Sequence, residues 1–118
     1  MLSLSELRQE IMRINNQVNT EHYGYGVKSQ KVYFVNDEII LIMAHNKRIT
    51  ALEVLDKQGH STAEVHHVLL SNFKKRLVAL LDQELGIKVS FISKDYDSPT
   101  ETATTVIRLH DPISTFAV

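Results

Sequence analysis

Through "MLSLSELRQEIMRINNQVNTEHYG" the apolar positions Leu4, Leu7, Ile11, Ile14 and Val18 recur in alternating steps of three and four. That spacing predicts an amphipathic helix. Ser3 and Glu6 stand at the separation of a capping box, and Gly24 is placed to end the helix. The same five residues form the a/d seam of a coiled coil, a stripe narrower than the roughly 100° face of a helix lying flat on a core. The seam is therefore expected to meet a second copy of the chain, with packing on the chain's own sheet as the competing reading.

The period then changes from helical to alternating. "KVYFVNDEIILIMAHN" holds two β-rich runs, about 30 to 35 and 39 to 44, joined by the turn-forming pair Asn36-Asp37. "RITALEVLDKQGH" predicts a short helix broken at Gly59, and Ser61 or Thr62 can cap a longer one from about 62 to 85. Its apolar set, Val65, Leu69, Phe73, Leu77, Leu80, Leu81 and Leu85, is expected to pack on the sheet, with Gly86 as a left-handed stop. "IKVSFISKDYDSPTETATTVIRLHD" predicts a second hairpin around the turn at Pro99. No repeat or linker interrupts the chain. The expectation is one α+β domain over 1–118: two layers, with an antiparallel four-stranded sheet of two hairpins packed with helices, in the order α-β-β-α-α-β-β.

Composition narrows the chemistry without choosing one. With 13 Lys and Arg against 14 Asp and Glu, the formal charge of -1 supplies no global field for nucleic acid or an anionic membrane. The absence of Cys removes disulfides, thiolate nucleophiles and Cys-type zinc sites, and fits a reducing cytosol. The longest uncharged apolar run, "IILIMA", is far below the roughly 20 residues of a membrane span. Charges at Glu6, Arg8, Glu10 and Arg13 interrupt the stretch where a signal peptide needs an apolar core, so a cytoplasmic location is expected.

Short motifs give little. "HYGYGVKS" imitates part of a phosphate loop, but its turn follows a helix and feeds a strand, so the nearby dipole end is the wrong one. Gly24 and Gly26 read instead as a helix stop and a tight path into the first strand. His60, His66 and His67 lack the three- or four-residue separation at which helical side chains share an ion. His66 is expected at the edge of the core and His67 in solvent. Asp95, Asp97 and Glu101 in "DYDSPTE" could hold a hard cation, although Asp, Ser and Pro are equally the makings of a hairpin turn. "FKKR" spreads around its helix as a solvated face. No nucleophile elbow, H-E-x-x-H or cofactor fingerprint is present, so the expectation is a protein that is not an enzyme and needs no cofactor.

Taken together, "EHYGYGV", "KVYFVNDEIILIM", "ITALEVLDKQG", "VLLSNFKKRLVALLDQELGIKV" and "FISKDYD" followed by "TTVIRL" resemble the MpsC-like family of small bacterial proteins, over about residues 6 to 111. Members usually carry Arg and Pro around the glycine pair, where this chain has Tyr25 and Val27, and a Pro in the segment written here as "ITALE". The resemblance implies association with a sodium-translocating, membrane-potential-generating system linked to inorganic carbon supply, and it brings no catalytic residue. With no spanning segment, the chain would serve as an accessory or regulatory subunit, a homo-oligomer beside a membrane-protein partner. The helix seam and the apolar tail "PISTFAV" are its candidate contact patches. The competing functions are a small nucleic-acid-binding domain, disfavoured by the neutral charge, and an enzyme whose pocket sequence cannot show.

Overall fold

The computed structural model describes all 118 residues. Helix α1 (Leu4–Tyr23) leads into the hairpin β1 (Ser29–Phe34) and β2 (Ile39–His45); α2 (Thr50–Lys57) and α3 (Ala63–Leu85) follow, then the hairpin β3 (Val89–Asp97) and β4 (Thr102–Leu109) and a short 3-10 turn at Ile113–Thr115. The expected α+β order holds. All three strand pairings are antiparallel, and the sheet order is β1-β2-β4-β3. No helix is long and apolar enough to cross a membrane.

Local chemistry sets the ends of these elements. Ser3 and Glu6 close the capping box in both directions, and Gly24 and Gly86 end α1 and α3 at φ 83° and 69°, conformations that glycine adopts without a Cβ clash. The first hairpin turn is longer than Asn36-Asp37 alone. Asn36 Oδ1 accepts from the N–H groups of both Glu38 and Ile39, so the asparagine side chain organises four connecting residues. Thr62 precedes α3 without a side-chain cap; its hydroxyl accepts from Arg48 Nη2 at 3.2 Å and donates to Asp56 Oδ1 at 2.7 Å.

One sheet face is covered. Val32, Ile40, Ile42, Ile107 and Leu109 point inward from alternate strand positions and meet Leu7, Ile11, Ile14 and Val18 of α1 and Phe73, Leu77, Leu80 and Leu81 of α3. The opposite sheet face carries no helix.

Two expected contact patches are corrected by this packing. Leu7, Ile11, Ile14 and Val18 are 0–1% exposed, so the seam belongs to the chain's own core and cannot meet another copy without opening the fold; only Leu4, at 43%, stays on the surface. The reason is that Asn15 and Asn19 are buried with it. Asn15 Nδ2 donates to Gln30 Oε1 at 3.0 Å and Asn19 Nδ2 to the Tyr25 carbonyl at 2.9 Å, which widens a narrow apolar stripe into a full core-facing surface. The tail is likewise docked: Ile113 and Ala117 are buried, and Leu2 bridges Ala117. In α3 the buried positions begin only at Phe73; Val65 is 49% exposed and Leu69 is half-buried, contrary to the expected run.

Candidate functional site

The carboxylates of the acidic turn do not converge. Asp95 Oδ1 accepts from the Tyr96 N–H, Asp97 Oδ2 accepts from Thr100, and Glu101 Oε2 accepts from the Arg48 N–H at 3.0 Å. No group of three or more His, Asp or Glu side chains is arranged to hold a metal ion. The histidines also separate: His66 is half-buried beside Tyr96, while His60 and His67 are exposed. Around the glycine pair, Gly24 sits at the C-terminal end of α1, and Lys28 Nζ faces Glu101 at 3.9 Å.

What the fold does assemble lies at the junction of the sheet with α2 and α3. Arg48 enters from the segment between β2 and α2, Lys94 and Tyr96 from the inward face of β3, His66 from α3, and Asn46 from the end of β2. Together with Tyr23, Leu52, Leu69 and Leu70 they line a cavity of about 30 Å³. A water molecule needs roughly 10–15 Å³ on this measure, so the space suits a ligand of a few heavy atoms.

Arg48 is held from several sides. Its Nη2 donates to Asp56 Oδ2 at 3.0 Å and to Thr62 Oγ1 at 3.2 Å, and the guanidinium carbon lies 5.9 Å from the centre of the Tyr96 ring. Nη1 lies 3.4 Å from His66 Nδ1; arginine can only donate, so this nitrogen is the acceptor and the ring proton sits on Nε2. Burial, and then the neighbouring Arg48 charge, hold the imidazole below its ordinary pKa, which keeps it neutral. The Thr62 hydroxyl and then Arg48 hold Asp56 below the usual carboxylate range. The side chain of Arg48 is 11% exposed, and its Nε is buried without a hydrogen-bond partner.

Lys94 is more isolated. It is 8% exposed, its ammonium lies 3.9 Å from the centre of the Phe73 ring, and Thr105 Oγ1 at 3.3 Å is its one hydrogen-bond partner. No carboxylate lies within ion-pair distance of it. Burial pulls its pKa down to about 8. Asn46 ties the rim to α1 through Nδ2, which donates to Asn19 Oδ1 at 3.1 Å, while its own Oδ1 is buried and unpaired. The Tyr96 hydroxyl donates to the Asn46 carbonyl at 2.8 Å, and burial followed by Glu101 pushes that phenol up to about 12.

The cavity is therefore lined by the buried ammonium of Lys94 and the partly buried guanidinium of Arg48, whose Nε, like Asn46 Oδ1, is sealed in without a hydrogen-bond partner. Glu101, which positions Arg48 through its backbone, has φ 52°, the only non-glycine residue in the left-handed region. Such strain persists where surrounding contacts over-determine it, and it concentrates at functional sites. Sequence inspection passed over Arg48 and Lys94. The readable signal for Lys94 was a lysine at an inward position of a strand whose alternate neighbours, Ile92 and Tyr96, are apolar or aromatic. Arg48 offered no such signal. No family model, curated protein or solved structure matches the chain.

Proposed function

We propose that this chain is a non-catalytic binding domain that takes a small oxyanion between Arg48 and Lys94, and that it works in the cytoplasm as a homo-oligomeric accessory subunit beside a membrane system of the kind the MpsC-like resemblance implies. The observation that carries the reading is Lys94, a buried ammonium with no counter-charge in reach, in a cavity that Arg48 also lines. A buried cation without an anion is costly, and a ligand that supplies the anion recovers that cost as binding energy. Arg48 is already balanced by Asp56, so the uncompensated charge is Lys94's and a monoanion matches it.

The unpaired Asn46 Oδ1 adds a discriminating acceptor, which favours an oxyanion that also bears a protonated oxygen. Bicarbonate has that pattern, and the inorganic-carbon link of the resembled family favours the same ligand. Isothermal titration with bicarbonate, formate, nitrate and chloride tests the proposal. Bicarbonate is expected to bind most tightly, Lys94→Met to abolish binding, and Asn46→Leu to remove the preference over nitrate while leaving anion binding in place. Saturating bicarbonate that produces neither heat nor a shift in melting temperature would sink the reading.

A further inference from the structure

The sheet face turned away from α1 and α3 is uncovered; its middle is apolar except for Arg108 of β4, and opposite charges stand at its two edges. Leu41 of β2 pairs with Val106 of β4 at the centre, while Tyr33 and Met43 are 43% and 39% exposed. The row Lys31, Met43, Thr104 and Asp95 crosses all four strands, placing a cation on the β1 edge and an anion on the β3 edge at one level. Neither Lys31 nor Asp95 has an ion-pair partner within the chain.

This arrangement is self-complementary under one operation. A two-fold axis parallel to the strands and midway between β2 and β4 turns the sheet onto a second copy, preserves level along the strands and lays β1 over β3. Lys31 then faces Asp95 of the second copy, twice by symmetry, and Leu41 faces its Val106. At the next level Val35, 60% exposed, faces its Phe91, 49% exposed, and Ile39 faces its Arg108, whose guanidinium lies over that Phe91 ring. The other in-plane axis, perpendicular to the strands, sets Lys31 over Tyr33 and leaves both charges unmatched. Four strands about 4.8 Å apart and about seven residues at roughly 3.3 Å each give near 440 Å² in plan per copy before side-chain relief is added. The two copies together contribute about 880 Å² in plan, short of the roughly 1,200–2,000 Å² of a standard specific interface, so the remainder has to come from side-chain relief; sheets packed face to face in this way form an ordinary sandwich.

We infer that this uncovered face docks a second copy of the chain about the strand-parallel two-fold, making the homodimer a four-layer molecule with helices outside and the two sheets in contact. The inference rests on the homo-oligomer proposed above and assigns it a surface and a symmetry. Sedimentation equilibrium at micromolar concentration tests it. Lys31→Glu and Asp95→Lys are each expected to weaken the dimer by about tenfold, because each places two like-charge pairs across the axis. The double variant Lys31→Glu with Asp95→Lys is expected to restore wild-type affinity, since both pairs return with reversed sign. Met43→Lys should give a folded monomer with an unchanged urea midpoint; if that variant fails to fold, the charge-swap cycle alone decides. A monomeric wild type overturns both the oligomer and its surface. A dimer indifferent to the swap, or one dispersed instead by Val65→Asp with Val68→Asp on the exposed side of α3, overturns this surface while leaving the oligomer standing.

Discussion

Gly26 passes so close to Asn16 that a methyl group on its Cα would lie 2.5 Å from Asn16 Oδ1. That oxygen is already committed, accepting from the Val27 N–H at 2.9 Å, so it cannot swing away without orphaning a backbone donor. The second glycine of the pair is thus explained by its close approach to Asn16 of α1. Gly26→Ala is expected to cost about 1–3 kcal/mol through this overlap. Asn16→Ala with Gly26→Ala should cost less than the two single changes added together, because the methyl then has room. Gly24→Ala provides the contrast: nothing lies within 4 Å of its added Cβ, and only the left-handed backbone, about 1 kcal/mol, opposes it. Urea denaturation of the four proteins reads all of these values, and additive costs would remove the explanation.

The seam of α1 should respond as a core. Ile11→Asp together with Ile14→Asp is expected to unfold the chain rather than release a folded monomer, since both side chains are 0% exposed. Leu77→Ala, opposite them on α3, should cost about 2–5 kcal/mol. Circular dichroism with urea midpoints measures both. A folded Asp variant would mean that α1 does not pack where it is described.

Secondary structure was legible because each element declared itself locally. Ser3 with Glu6, Gly24 and Gly86 marked helix ends by chemistry that acts within a few residues, and the strands alternated around Asn36 and Pro99. What each face meets was less legible. Asn15 and Asn19 are polar residues, yet both are buried, with their Nδ2 groups donating to Gln30 Oε1 and to the Tyr25 carbonyl, partners outside α1 that the helical period does not announce. The cavity had the same difficulty in larger measure. Arg48 and Lys94 are 46 positions apart and converge only when β3 is laid beside β4, so neither has a local pattern that announces it.

Glu101 offers a test of whether strain serves the site. Its φ of 52° suits glycine better than any side chain, while its carboxylate holds the Arg48 N–H. Glu101→Gly should therefore be more stable than Glu101→Ala, since both lose the carboxylate and only glycine relieves the backbone. Both variants should bind bicarbonate more weakly than the parent, because Arg48 loses its backbone anchor. Thermal melts and titration calorimetry give the two rankings, and equal stability of Gly and Ala at this position would dismiss the strain.

Lys94 sets a pH dependence whose sign follows from its burial. Its pKa falls from 10.5 to about 8 on folding, so between those values the unfolded chain binds more protons than the folded one. Stability then rises with pH across that window. Below pH 8 the charged amine carries its full cost, about 3 kcal/mol at 1.36 kcal/mol per pH unit, and the cost fades as pH climbs toward 10.5. The cation–π contact with Phe73 offsets part of it. Tyr23 and Tyr96, which line the same cavity, are both pushed up to about 12 by burial and stay neutral throughout. Lys94→Met removes the titrating group while keeping most of the apolar stem. The Met variant should be the more stable protein at pH 7, with the gap closing by pH 10. Saturating bicarbonate should narrow that gap at pH 7, since it supplies the missing charge to the wild type alone. Urea midpoints from pH 7 to 10 for both proteins decide the matter, and parallel curves would show that Lys94 is solvated or paired in the folded chain.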